Sequence, residues 1–260
     1  MKVPMFQVDA FTGTVFGGNP AAICVLAGWL DNNLMQAIAA ENNLSETAFL
    51  VKQGDGYGIR WFTPKAEIDL AGHPTLASAF VVFEMLEPGI TEVRFETVRS
   101  GELIVRKKGS NLAMDFPSRP AKPCPAPEAL VAGLGVSPVE TLKSRDYLVV
   151  MESESVVRSV RPRFDLLETL DSLGVIITAA GDQVDFVSRF FAPKHGIPED
   201  PVTGSAHCTL IPYWSNRLKK KNLHAHQVSA RGGELFCEDH DERVSIAGQA
   251  ALYFEGHIWI

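Results

Sequence analysis

One pattern of residues occurs twice along this 260-residue chain. The run RWFTP (residues 60–64) returns as RFFAP (residues 189–193). EIDLAGH (residues 67–73) lies opposite EDPVTGS (residues 199–205), and RSGEL (residues 99–103) opposite RGGEL (residues 231–235). Gly72 and Gly204 stand 132 residues apart, and so do Gly101 and Gly233. Arg60 and Arg189 are 129 apart, so one loop gains three residues in the second half. A spacing kept over that length implies a duplicated folding unit. The domains expected are 1–118 and 123–250, with 251–260 free to return to the first as a strand. Between them lies PSRPAKPCPAPEA (residues 117–129), whose five prolines suit a stiff linker.

Both copies predict short strands rich in β-branched and aromatic residues, such as GIRWF and VDFVSRFF, then a loop and a helix. The first helix is expected over residues 74–86, with Pro74 in its opening turn and Pro88-Gly89 beyond its end. It is apolar on nearly every side, as a buried helix is. The second starts near Ser205, and Pro212 inside it should kink it or interrupt its hydrogen-bond ladder. A further helix, NNLMQAIAAE, is expected after an Asp31 N-cap. The fold class is therefore α+β. It has two pseudo-symmetric domains, each a curled, mixed and mostly antiparallel sheet around one central helix.

Composition excludes several functions. The net charge of -7 argues against nucleic-acid binding, and the one basic run, RLKKKNLHAH (residues 217–226), reads as a solvated helix end. There is no signal-peptide pattern and no apolar run of membrane-spanning length, so a cytoplasmic protein is expected. The four cysteines form no C-x-x-C and are read as reduced thiols. His224 and His226 could share a strand face, but no acid or thiol is suitably spaced in sequence beside them, so no metal is expected. G-x-G-x-x-G, Walker and G-x-S-x-G motifs are absent, and no cofactor is expected.

The candidate chemistry gathers at the two helix starts. Gly72-His73 and Gly204-Ser205 occupy matched positions. Free backbone N–H groups and a partial positive charge there can hold a carboxylate. The alternative is simple capping by Thr203 and Ser205. In NLSETAFLV, the expected strand puts Glu46, Ala48 and Leu50 on one face and Thr47, Phe49 and Val51 on the other. Burial there would raise the Glu46 pKa towards the range where an acid/base catalyst works; a strand end open to solvent would not. His73 and Asp200 are further proton-handling candidates, each with a packing or loop role as the alternative. Asn19, in GGNPAA, is a candidate ligand contact. Ser205 and His207 are two residues apart on a helix and diverge, so no nucleophile–base pair is expected.

Taken together, VDAF, GGNPAA, NLSETAF, FTPKAEIDLAGHPTLA, EDPVTGSAH and RGGEL…RVSIAGQAALY resemble the phenazine biosynthesis PhzF-like isomerase family over essentially the whole chain. The resemblance implies the diaminopimelate epimerase fold, with the site in the cleft between two similar domains, and a homodimer. It implies a cofactor-free isomerase that moves a proton on a small carboxylate-bearing molecule. It assigns the proton carrier to Glu46 and cleft positions to His73, Asp200 and Ser205, with backbone at Gly72 and Gly204 holding the acidic group. Epimerases of this fold carry a cysteine at each helix start. This chain has His73 and Ser205 there, so two-thiol racemisation is disfavoured, and Cys208 is not the missing thiol. Two alternatives are a non-catalytic carboxylate-binding or interaction protein and a racemase using Glu46 and Asp200 on opposite faces.

Overall fold

The computed structural model describes all 260 residues, Met1 to Ile260. It divides into two compact units, Met1–Asp115 with Ala247–Ile260, and Phe116–Ile246. In the first, Lys2–Ala10 pairs antiparallel with Asn19–Leu26, which runs parallel to Glu46–Gln53. Gly56–Phe62 is antiparallel to that strand and parallel to Glu92–Thr97, and Glu102–Lys108 and Asn111–Pro117 follow antiparallel. The last strand, Ala250–Trp259, returns to pair antiparallel with Lys2–Ala10.

The second unit repeats this order. Glu140–Lys143 pairs antiparallel with Tyr147–Val150, which runs parallel to Val175–Ala180. Phe186–Ala192 is antiparallel to the latter and parallel to Asn222–Gln227, Gly233–His240 follows antiparallel, and Arg243–Gly248 comes next in the sheet. Alternation of parallel and antiparallel neighbours is therefore the same in both halves. Each sheet is covered on both faces, which is why strands such as ETAFLV are buried at every position. In the first unit, Met35, Ile38 and Ala39 of the helix Asn32–Asn42 pack on Cys24, Phe49 and Phe62, while the helix Gly72–Val81 covers the other face.

The duplication extends to side chains. Arg60 donates through Nε and Nη2 to the two oxygens of Glu67 at 2.7 and 2.8 Å, and lies 5.2 Å from the ring centre of Phe62. Arg189 donates in the same way to Glu199 at 2.7 and 2.8 Å, and lies 5.0 Å from Phe191. A planar guanidinium satisfies both carboxylate oxygens at once, so each pair braces the loop leading to its central helix.

Several local expectations change. The first central helix begins at Gly72, not Pro74, and its last turn, Val82–Leu86, widens into a π-helix. The second runs over Gly204–Leu218 with Pro212 inside it. Proline has no N–H to offer the carbonyl four residues back, and the backbone N–H of Arg119 takes that Cys208 carbonyl instead, at 2.8 Å. Arg119 belongs to the proline-rich segment, so this segment is no free tether. Within it Lys122–Pro123 also pairs with Glu140–Lys143. The basic run does not continue the helix. Lys219 caps the helix in a left-handed conformation, and Asn222–Gln227 is a strand with Leu223 and Ala225 turned inward. All four cysteines are free thiols. No helix is long and apolar enough to cross a membrane.

Candidate active site

In the first unit, Glu46 opens its strand beside Ala21 and is only 7% exposed. Its parity with Ala48 and Leu50 turns it away from Phe49 and towards the central helix. There its Oε2 lies 3.2 Å from Nε2 of His73, itself 5% exposed. Nδ1 of His73 lies 3.2 Å from Nδ2 of Asn19, which is fully buried. Burial keeps the imidazole neutral and lowers its pKa to about 3; the backbone of Pro20 opposes this only in part.

The segment that delivers Asn19 is held in unusual backbone geometry. Phe11 and Phe16 have φ of 63° and 73°, a region that side-chain-bearing residues seldom enter. Gly18 has φ of 58°, and a Cβ there would stand 2.1 Å from the carbonyl oxygen of Ala10, so only glycine fits. Asp9, buried, accepts from the backbone N–H of Phe16 at 2.8 Å and ties the loop across its base.

In the second unit, Asp200 ends the strand Ile197–Asp200 and is 8% exposed. It accepts a hydrogen bond from the Thr203 hydroxyl at 2.5 Å. Thr203 is the N-cap of the helix Gly204–Leu218, yet its side chain makes no capping bond. Ala71, the N-cap of the helix Gly72–Val81, makes none either. Capping by Thr203 therefore does not explain the TGS run. Gln227, buried in the neighbouring strand, accepts from Thr203 N at 2.9 Å and donates to the Asp200 carbonyl at 2.8 Å. It fixes the turn from which the helix starts.

Ser205 is half-buried, and its Oγ accepts from Nη2 of Arg145 at 3.0 Å. Arg145 also reaches Oδ2 of Asp146 through Nε and Nη2, at 3.1 and 2.8 Å. Asp146 is 1% exposed, and its Oδ1 has no hydrogen-bond partner. A guanidinium thus stands at the helix start, held there by a buried carboxylate. His207 donates from Nδ1 to the Thr203 carbonyl at 2.9 Å and is kept neutral by burial, with a pKa of about 4. It packs beside Phe186 and does not address Ser205.

Each unit therefore gathers its own candidates: Asn19, Glu46, Gly72 and His73 in the first, Asp200, Gly204 and Ser205 in the second. Sequence reasoning missed Arg145, Asp146 and Gln227. The adjacent opposite charges of SRDY, directly before the apolar strand Tyr147–Val150, were the available signal for the first two.

Comparison with known proteins shows the family. The pattern of the PhzC-PhzF family, described as phenazine biosynthesis-like protein, matches residues 8–256. The chain is 51% identical to an uncharacterized isomerase of Pseudomonas aeruginosa, over 98% of each chain. It is 49% identical to a PhzF-family crystal structure from Enterococcus faecalis, with a TM-score of 0.97 and full coverage of both chains. A hydroxyproline epimerase from Agrobacterium vitis shares the fold at 10% identity, with a TM-score of 0.59 over 99% of this chain and 91% of that one. By sequence and by fold, this chain belongs to the phenazine biosynthesis-like PhzC-PhzF family and is an enzyme of the isomerase class.

Proposed function

We propose that the chain catalyses a cofactor-independent proton shift on a small carboxylate-bearing molecule, with Glu46 as the proton carrier. The observation that carries this reading is the buried Glu46 carboxylate set 3.2 Å from a neutral histidine. A general base of this kind needs a fixed position and little competition from water. Glu46 takes a proton from a carbon next to an unsaturated or carboxyl group, and the electron pair left behind spreads into that group. The Glu46 O–H then returns its proton to another carbon of the same system, on the same face, aided by Asp200 and His73.

Anionic groups on the substrate need compensating charge. The helix starts at Gly72 and Gly204 offer backbone N–H groups, and Arg145 beside Ser205 offers a cation. In this reading Glu46 and His73 are the proton handlers of the first unit, and the Ser205–Arg145 end of the second is an anion holder.

Candidate substrates are small cyclic or aromatic amino and hydroxy acids, screened by thermal shift and then incubated with enzyme in deuterated water. Deuterium is expected at carbon with the native chain and not with Glu46→Gln. Undiminished exchange by a folded Glu46→Gln protein would remove Glu46 from this role. Binding without any exchange would instead favour a carboxylate-binding protein, and inversion of a stereocentre a racemase.

A further inference from the structure

His224 and His226 alternate with inward-facing Leu223 and Ala225 on the strand Asn222–Gln227. Spacing of two on a strand puts both imidazoles on one face. The sequence offered no acid near them, because the acid arrives from the next strand. In the antiparallel register Glu234 of Gly233–His240 stands directly opposite His226, one step diagonally from His224. Oε1 of Glu234 lies 2.7 Å from Nε2 of His224 and 3.8 Å from Nε2 of His226. All three ligand atoms fall within 4.8 Å of one another. A tetrahedral zinc ion with bonds near 2.0–2.1 Å needs donor atoms about 3.3 Å apart, a spacing that small side-chain rotations reach from here.

We propose that His224, His226 and Glu234 form a binding site for a divalent transition-metal ion, zinc above all, that clamps these two strands of the second unit together. Two imidazole nitrogens and one carboxylate oxygen are a donor set for zinc, copper or nickel, and a poor one for magnesium or calcium, which demand more oxygen ligands. The side chains are between a third and a half exposed, so ions can enter and a water can complete the coordination. Phe236, opposite His224, stacks flat on its ring with centroids 4.9 Å apart and sets its orientation. Close by, Asp185 accepts from the backbone N–H of His224 and is held by Lys220, so its carboxylate is already engaged. Glu154 is engaged too, by Arg158 and by the backbone N–H of Asp182. Neither competes for the ion. None of the three ligands belongs to the groups assigned to proton transfer, so the site is independent of that chemistry.

The test uses the full chain free of any affinity tag. Titration calorimetry with zinc chloride is expected to give one ion per chain, and the melting temperature is expected to rise with zinc and not with magnesium. Loss of groups that merely support metal ligands typically costs 10–100-fold in affinity, so loss of a ligand, as in His226→Gln or Glu234→Gln, should cost at least about 100-fold. His257→Gln, on the last strand of the first unit, should leave zinc affinity unchanged. Cobalt(II) should give the intense visible bands of a low-symmetry four-coordinate ion in the native chain and lose them in His224→Gln/His226→Gln. Absence of zinc binding at near-millimolar metal would overturn the proposal. So would binding that survives the double substitution in a variant whose circular dichroism matches the native chain.

Discussion

At the scale of the residue, the arrangement around Ser205 explains what a helix start alone does not. Backbone N–H groups attract any anion weakly, whereas a guanidinium anchored by a buried carboxylate fixes its place and orientation. Arg145 spends Nε and part of Nη2 on Asp146 and contacts Ser205, and its remaining N–H bonds are free to face a substrate anion. A charge-assisted hydrogen bond contributes roughly 1.5–3 kcal/mol. Since 1.4 kcal/mol is tenfold in binding, Arg145→Met should raise KM by about 10- to 100-fold. Because the contact is made in ground and transition states alike, kcat should change much less. Arg145→Lys should restore part of the affinity but not the planar fork. Steady-state kinetics of the three proteins, with melting curves to verify folding, checks this. A fall in kcat with KM unchanged would contradict a binding role.

At the scale of the element, the paired Arg–Glu forks test how far duplication implies equal energetics. Arg189 is 7% exposed and also donates to the carbonyls of Val157 and Val160, at 3.1 and 2.8 Å. Arg60 donates outside its fork only to the exposed amide oxygen of Asn32, at 3.0 Å. The two forks are similarly shielded: the side chains of Arg60 and Glu67 are 13% and 26% exposed, those of Arg189 and Glu199 9% and 23%. Removing one partner from a buried pair typically costs about 3–5 kcal/mol. Arg60→Met should therefore lower stability by about 3 kcal/mol, and Arg189→Met by about 1–3 kcal/mol more because two buried carbonyls also lose their donor, read as shifts in the urea midpoint at constant slope. Equal losses would mean that the two carbonyl contacts of Arg189 contribute nothing to stability. The same pair shows what a sequence discloses. The matched spacing of RWFTP and RFFAP revealed that an element recurs, because repeats and strand periodicity are local or additive signals. That Arg189 also reaches the carbonyls of Val157, in the helix Glu154–Ser159, and of its C-cap Val160 was invisible, since it depends on which elements pack together. The acid facing His224 and His226 escaped notice for the same reason: strand register, not proximity along the chain, supplies it. The two central helices start two residues and one residue earlier than expected, because glycine at a helix start reads as a loop until its neighbours are placed.

For the molecule as a whole, the two neutral buried histidines set a common response to acid. His73 lies in the first compact unit and His207 in the second, and burial lowers their pKa values to about 3 and about 4 from an unfolded value of 6.5. Above pH 6.5 both states hold these rings neutral, so folding releases no protons from them and their contribution is constant. As the pH falls through 6.5 the unfolded chain binds protons that the folded chain refuses, and stability drops until the folded pKa values are reached. Each group then contributes up to about 1.4 kcal/mol of lost stability per pH unit. Between pH 6.5 and 5 the loss should be roughly 1–2 kcal/mol for each histidine, before ordinary carboxylates begin to titrate. Glu154, Asp185 and Asp239, all held below the usual carboxylate value, add their losses only at lower pH. The two sources are therefore separable along the pH axis. Urea midpoints for the native chain should fall between pH 6.5 and 5, and the fall should be shallower in His207→Gln, which has no proton to gain there. If that variant keeps the full slope, the buried ring at 207 is not a source of the acid lability.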